Sequence, residues 1–422
     1  MYNLFKTQLS NLTSRGFFHL LSANVLIQAV AFASQLFVAG ILSPDDVGRI
    51  KVIMTFLSVF SVIGGMGFNG STLKLCSENR SQDEVRQIFS AGVLFTVIST
   101  VAFYLLALLL NSFGLFSADK MIQWLIPMGL FPVITNSVFM VLVGYFQAIK
   151  EIKLMSRITI INKLISIVAI VLLTWWLGLK GYYFAYNISF IIMLAVGLRI
   201  LKSDFNFSQN NLRANFKTHW AFSKPSLLAN LMSEISAYAD IFVINYLLSD
   251  MQEIGFYSFA LTLTVALRIF PATVQQMAIP YFSGFSSDRH QFITVFRKYN
   301  RQLYIVVFVT LILAILLAPF LIKTVFAGKY DASIPFFIFL SIGWSIRLLT
   351  QLQGAAIFGL GKLHYNGWIS LISMIFNVII YFMFVTYFGA IGAAWASIPA
   401  GIVILITSRL FMKRALSAIN MR

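Results

Sequence analysis

The sequence predicts an all-α polytopic membrane protein with about twelve transmembrane helices in two parallel halves of six. Three observations carry that prediction. Of the 422 residues, 59% are hydrophobic and 11% charged, against about 25% charged in soluble domains. Apolar runs alternate along the chain with short segments that hold the charges, and each run reaches the roughly 20 residues that cross a hydrocarbon core as a helix. A glycine-marked turn in the first half recurs in the second.

The first run, 17–42, follows the polar "MYNLFKTQLSNLTSRG". It is too long for the apolar core of a signal peptide and is expected to remain in the membrane. Runs 50–73, 88–111, 121–148, 157–178 and 181–200 complete the first half. The connection "LKSDFNFSQNNLRANFKTHWAFSK" (201–224) is the longest and is polar. It divides the chain into a six-helix half over 1–205, a linker over 206–224 and a six-helix half over 225–422. The second half has runs at 225–248, 254–282, 302–323, 333–360, 364–388 and 391–410. Only "FGAIG" separates the last two, because no charge occurs between Lys362 and Arg409.

The net charge is +17 and the isoelectric point near 9.9. Nucleic acid is not the implied partner, because the cations follow the membrane pattern. With the N-terminus in the cytoplasm, 22 of the 31 Lys and Arg fall in cytoplasmic segments and six outside. That excess places both termini in the cytoplasm. The six outer cations include Arg49 and Lys51. The other three, Lys163, Arg268 and Arg347, lie within spans. Cys76 is the only cysteine, and the four histidines are scattered. No metal or cofactor site is expected.

The halves resemble each other. "LGLKGYYFA" (177–185) matches "FGAIGAAWA" (388–396) at an offset of 211, which pairs Gly178, Gly181 and Ala185 with Gly389, Gly392 and Ala396. The same offset lays "IKEIK" (149–153) on "LGKLH" (360–364). "QLFVAGILSPDDVG" (35–48) resembles "DIFVINYLLSDMQEIG" (240–255) with two residues inserted. Six is even, so each half starts and ends on one side, and the repeats are parallel. Transporters built from such repeats bind substrate near the midplane between the halves.

A cation within a span costs about 2.5–3.5 kcal/mol on insertion scales and usually faces protein or water. Arg268 in "VALRIFPATVQQ" (265–276) shares a helical face with Gln275, and Arg347 with Gln351. Asn24, Gln28 and Gln35 form one stripe on the first span. The seventh span holds Glu234 and Asp240, six apart and facing different neighbours. Two readings stand open. The arginines pair with Glu234 or Asp240 and fix packing, while Lys163 snorkels to the interface. Alternatively, all three cations line a wet cavity and neutralise an anionic substrate. Three cations against two acids favour an anion. Pro271 and Pro280 are expected to weaken the eighth span.

Catalytic motifs are sparse, and the chain is not expected to be an enzyme. No Walker A motif occurs. Asp45 and Asp46 of "SPDD" are expected to cap the following helix; the alternative, catalytic acids of a membrane glycosyltransferase or polymerase, lacks the large outer domain such enzymes carry. "GMGFNG" (65–70) is read as close helix packing.

Twelve spans, "GILSPDDVG", "IPYFSGF" (279–285) and the paired glycine turns together resemble the polysaccharide-transport branch of the multidrug/oligosaccharidyl-lipid/polysaccharide exporter superfamily, the O-antigen (Wzx-type) flippase above all. The resemblance implies a V-shaped transporter in the bacterial inner membrane. It would flip an undecaprenyl-diphosphate-linked oligosaccharide by alternating access, among membrane lipids, with H⁺ or Na⁺ coupling at Glu234 or Asp240. A polysaccharide polymerase and chain-length proteins are the implied partners. Arg268, Arg347 and Lys163 would bind the diphosphate. Asn24, Gln28, Gln35, Gln275 and Gln351 would line the sugar path. The alternatives within the superfamily are a multidrug exporter, which the lack of an acid in the first span disfavours, and a flippase for a peptidoglycan precursor, which often has extra spans and fits twelve less well.

Overall fold

Every element follows from the apolar runs and their caps. The computed structural model describes residues 17–206, 212–248, 250–284 and 288–417. Its helices are α1 (Phe17–Ile41), α2 (Pro44–Gly65), α3 (Phe68–Cys76), α4 (Gln82–Ser112), α5 (Lys120–Leu130), α6 (Pro132–Ala148) and α7 (Ile152–Ile200) in the first half. The second half has α8 (Leu212–Leu247), α9 (Met251–Leu263), α10 (Val265–Gly284), α11 (Arg289–Phe326), α12 (Ser333–Leu348), α13 (Gln351–Gly359) and α14 (Leu363–Ser417). No strand occurs among the described residues.

Nine described stretches are long and apolar enough to cross a membrane. Two of them, α7 and α14, fold back on themselves and supply two crossings each. The Ser166 hydroxyl donates to the Ser189 hydroxyl at 2.7 Å, although 23 residues of straight helix would separate them by about 34 Å. The reversal is Gly178, at φ 61 and ψ −140. In α14 the rings of Tyr365 and Phe411 lie 5.3 Å apart, and the reversal is Gly389, at φ 65 and ψ −150. Only glycine adopts this conformation without strain. With α1, whose apolar stretch Gln28–Ile41 is shorter, the described residues account for twelve crossings.

The repeat read from sequence is a repeat of geometry. A Cβ on Gly181 would lie 1.8 Å from the Leu173 carbonyl oxygen, and one on Gly392 2.1 Å from that of Phe384. Lys150 and Gly361, also 211 apart, both turn with positive φ, 63 and 70. Gly48 and Gly255 face each other across the two halves. A Cβ on Gly48 would meet Met251 O at 2.7 Å, and one on Gly255 would meet Pro44 O at 1.9 Å. The repeat-equivalent starts of α2 and α9 therefore press together backbone to backbone and close this end of the bundle. At the same end the Lys329 ammonium donates to the carbonyls of Ala39 and Gly40, at 3.1 and 2.9 Å. The Tyr330 hydroxyl donates to Ala39 O at 3.0 Å. A cation at the last carbonyls of α1 also suits that helix's dipole.

α8 ties the halves at the opposite end. Its first turns sit in the first half, where buried His219 bonds through Nδ1 to Ser71 Oγ at 2.8 Å and through Nε2 to Ile88 O at 3.0 Å. Its later turns sit in the second half, where Asn377 Nδ2 donates to Ser236 O and Oγ at 3.1 and 3.0 Å. Residues 212–224, expected as linker, are thus helix; their polarity meets the polar groups of α3 and α4 rather than solvent alone. Residues 207–211 lie outside the described set.

The breaks within spans also differ from expectation. The eighth span is interrupted at Thr264, whose N–H donates to Ala260 O and whose hydroxyl donates to Leu261 O. Pro271 lies inside continuous helix α10 instead. The second span breaks at Met66 and Gly67, both with positive φ.

Candidate functional site

α2 begins earlier than its hydropathy suggests, because Ser43 caps it and Pro44 opens it. The Ser43 side chain accepts from Asp46 N, and Asp45 and Asp46 occupy the first turn. This placement supplies the negative charge that a helix N-terminus favours. Arg49 then bonds Asp46 at 2.9 Å and Asp119 at 3.0 Å. Lys51, expected in an outer loop, is two turns into the helix. Its ammonium sits over the Tyr238 ring of α8, 5.4 Å from the centroid. Sequence reasoning missed it because the boundary was drawn at the apolar run rather than at the Ser-Pro cap.

From the second half, Arg268 of α10 and Arg347 of α12 converge on one indole. Their guanidinium carbons lie 5.4 and 5.1 Å from the centroid of Trp344. Stacking over an aromatic face suits a guanidinium. Neither arginine forms an ion pair among the described residues. Arg268 also acts electrostatically on Tyr238, and Lys51 and Arg347 both act on Asp240. Tyr238 accepts a bond from Ser58 of α2 at 3.3 Å. A cation of the first half thus sits over Tyr238, and two of the second half over Trp344.

The acids have different neighbours, as their spacing suggested. Asp240 is buried and accepts from the Tyr257 hydroxyl at 2.7 Å and from Ile241 N at 2.8 Å. Glu234 faces a cleft of about 340 Å³ between the halves. That cleft is lined by Ser58, Ser61, Asn69, Asn136, Ser137 and Asn230, among others. These side chains are hydroxyls and amides, groups that exchange hydrogen bonds with water or a sugar.

Of the described sequence-predicted residues, Glu234 alone lines this cleft. Gln275 and Gln351 bond each other: Gln351 Nε2 donates to Gln275 Oε1 at 2.6 Å, and Gln275 Nε2 donates to Gln351 O at 3.3 Å. They form a joint between α10 and α13. Lys163 is exposed on α7 and has no ion pair among the described residues. Gln28 and Gln35 are exposed on α1, where the neighbouring Phe32 and Leu36 line an apolar groove with α10 and α11. The side chain of Asn24 lies outside the described set. Asn69 was read as packing, and it does pack, since a Cβ on Gly144 would meet Asn69 O at 2.9 Å. It lines the cleft as well. Each asparagine is a lone amide in an apolar run, and that was the available signal.

Solved structures share this architecture. The lipid II flippase MurJ in its inward closed conformation superposes with a TM-score of 0.78 at 16% identity, over 95% of this chain and 90% of that one. An inward-facing multidrug resistance MATE family transporter of the MOP superfamily gives 0.74 at 14% identity, over 93% and 95%. A MOP superfamily transporter from Pyrococcus furiosus Vc1, described as having a binding pocket of reverse polarity, gives 0.64 at 13% identity, over 95% and 96%. These likenesses establish the fold. No curated protein matches the chain by sequence. The family model described as polysaccharide biosynthesis protein matches residues 13–286, more than half of the chain, and the chain belongs to that family.

Proposed function

We propose that the protein is a flippase. It moves a polyprenyl-diphosphate-linked oligosaccharide, an O-antigen repeat unit or a similar polysaccharide precursor, across the bacterial inner membrane. The observation that carries the reading is the pair of guanidinium groups that two helices of the second half bring to Trp344, neither with an ion pair among the described residues. Such a pair is costly in lipid and is matched by a diphosphate, which accepts bidentate bonds from arginine. Lys51 adds a cation from the other half, so closure of the halves brings a third charge to the same anion. The hydroxyls and amides of the cleft take the sugar. Lys163, Gln28 and Gln35 have no role in this path, and Gln275 with Gln351 braces α10. The acid in the cleft, Glu234, carries the coupling ion, H⁺ or Na⁺. Both termini are cytoplasmic, and the lipid tail stays in the bilayer. No covalent bond is made or broken; Asp45 and Asp46 serve the start of α2.

Glu234, with no hydrogen bond or ion pair among the described residues, also suits a cationic substrate. This is the feature that favours the second reading, a multidrug exporter.

The test is translocation in liposomes, read as accessibility of a lipid-diphosphate oligosaccharide to an external glycosidase. The wild type is expected to expose the sugar, and the Arg268→Ala and Arg347→Ala variants to insert normally and expose none. Wild-type flipping by both variants would overturn the anion site. Efflux of soluble cations, with no flipping of any lipid-linked sugar under an imposed gradient, would select the exporter.

A further inference from the structure

A second concentration of charge lies where α11 begins and α14 ends, away from the cleft. The sequence supplies it with few acids. After Glu253 only two acids remain, Asp288 and Asp331. Asp331 stands in the turn between α11 and α12, at the opposite end of α11. Asp288 caps α11, accepting from Gln291 N at 3.0 Å. Beside it stand Arg289, Arg297, Lys298 and Arg301 on α11, and Arg409, Lys413 and Arg414 on α14.

The fold brings the two groups together. Arg409 Nη2 donates to the Tyr304 hydroxyl at 3.1 Å. Phe292 and Leu303 of α11 share one buried cluster with Met412 and Ala415 of α14. Arg297 and Arg301 are exposed at i and i+4, and so are Arg409 and Lys413. Like charges at that spacing oppose helix formation. Even so, Arg297, Arg301, Arg409, Lys413 and Arg414 have no ion pair among the described residues. Arg289 Nε is buried without a hydrogen-bond partner. The first half is built otherwise. There Glu78 bonds Arg80 at 2.7 Å and Lys74 at 3.5 Å, and Asp204 bonds Arg86 at 3.6 Å. The Arg80 hydrogen bond holds Glu78 below the usual carboxylate range.

Length places the patch. α11 has 38 residues, about 57 Å at the α-helical rise, against a hydrocarbon core of about 30 Å. Its apolar part starts after Arg301, so the charged first turns stand at headgroup level. Tyr299, Tyr304 and Tyr365 lie there too, as aromatic residues do at a membrane interface.

We infer that the α11–α14 face binds the phosphoryl headgroups of anionic phospholipids in the adjacent leaflet. Clustered Lys and Arg next to a span attract such lipids electrostatically, and Arg297, Arg301, Arg409, Lys413 and Arg414 have no ion pair among the described residues to compete with them. The headgroups relieve the repulsion within each helix and hold the second half against the leaflet while the first half moves.

The experiment uses the full chain in mixed micelles of phosphatidylglycerol and phosphatidylcholine, with lipids retained on the protein counted by native mass spectrometry. The wild type is expected to retain phosphatidylglycerol preferentially, and less of it as salt rises. The Arg297→Gln, Arg301→Gln, Arg409→Gln, Arg414→Gln variant is expected to lose at least about fivefold of that preference. A Lys413→Gln, Arg414→Gln variant, altered only at the exposed end of α14, should lose part of it and serves if the fourfold variant does not fold. A Lys74→Gln, Arg80→Gln variant should keep it. A wild type without lipid preference would overturn the inference, as would a folded fourfold variant that retains phosphatidylglycerol unchanged. So would displacement of the lipid only by a soluble acidic protein. Flipping is not read, so the result is independent of the transport proposal.

Discussion

Adding one methyl group at Gly255 should push the closed end of the bundle apart. The new Cβ would sit 1.9 Å from Pro44 O, 2.4 Å from Pro44 C and 3.1 Å from Pro44 Cα. These are backbone atoms at the start of a capped helix, and no side-chain rotation relieves the clash. Reaching ordinary contact near 3.4 Å requires the start of α2 to retreat from α9 by about 1.5 Å. For Gly48→Ala, whose nearest atom is Met251 O at 2.7 Å, the corresponding shift is about 0.7 Å. Overpacking of this kind costs about 1–3 kcal/mol. The strain exists only while the two ends touch, so it acts as a differential energy between conformations. An energy of 1–3 kcal/mol shifts populations about 5–150-fold. The assay is a distance distribution between spin labels at Lys120 and Gln252, both exposed at this end and one in each half, in a Cys76→Ser background. Gly255→Ala should populate longer distances than Gly48→Ala, and Gly48→Ala longer than wild type. Gly40→Ala, with nothing within 4 Å of its Cβ, should match wild type. A folded Gly255→Ala protein with the wild-type distribution would refute the claim that this contact is the gate, as would the reverse order of the two variants.

Two further outcomes follow from single contacts. Tyr257→Phe removes the hydroxyl bonded to buried Asp240 and should cost about 1–3 kcal/mol, measured by reversible unfolding in detergent; an unchanged unfolding energy would show that Asp240 finds another partner at once. Gly178→Ala and Gly389→Ala place a Cβ at φ 61 and 65 with open space around it, so backbone strain alone acts, and each should lose about 1–3 kcal/mol; clearly unequal losses would argue against equivalent turns.

Twelve crossings were legible because burial in lipid writes itself into composition: apolar length is the requirement, and it is visible without knowing any neighbour. The turns at Gly178 and Gly389 were legible because positive φ favours one residue type. The breaks at Met66, Thr264 and Thr350 were not, since interrupting a helix for one or two residues leaves hydropathy unchanged. Lys51 was misplaced for a related reason. Its helix is started by Ser43 and Pro44, a local hydrogen-bonding signal that an apolar window does not weigh. The stripe of Gln28 and Gln35 shows the limit of periodicity, which says which residues share a face but not what that face meets. Arg347 and Trp344, one turn apart, could be paired from spacing. That Arg268 joins them depends on how α10 packs against α12.

The duplication also shows how differently the two halves are filled. At the offset of 207 that pairs Gly48 with Gly255, Arg268 corresponds to Ser61; at the offset of 211 that pairs Lys150 with Gly361, Arg347 corresponds to Asn136. Ser61 and Asn136 both line the cleft. The count-equivalent positions thus carry neutral hydrogen-bonding groups lining the cleft in the first half and guanidinium groups stacked on Trp344 in the second. A symmetric scaffold filled symmetrically would suit a ligand with like ends. This one keeps its guanidinium groups on Trp344 and its hydroxyls and amides in the cleft. A diphosphate and an uncharged sugar are the two chemistries such groups suit, and they are joined in one lipid-linked oligosaccharide. Lys51 is the exception, a cation on the neutral side. It lies near the closed joint of α2 and α9, where the halves already touch and where its charge reaches Asp240 across them. Its position there ties the charge balance at the centre to how closely the halves approach, the variable that the proposed alternating access would change.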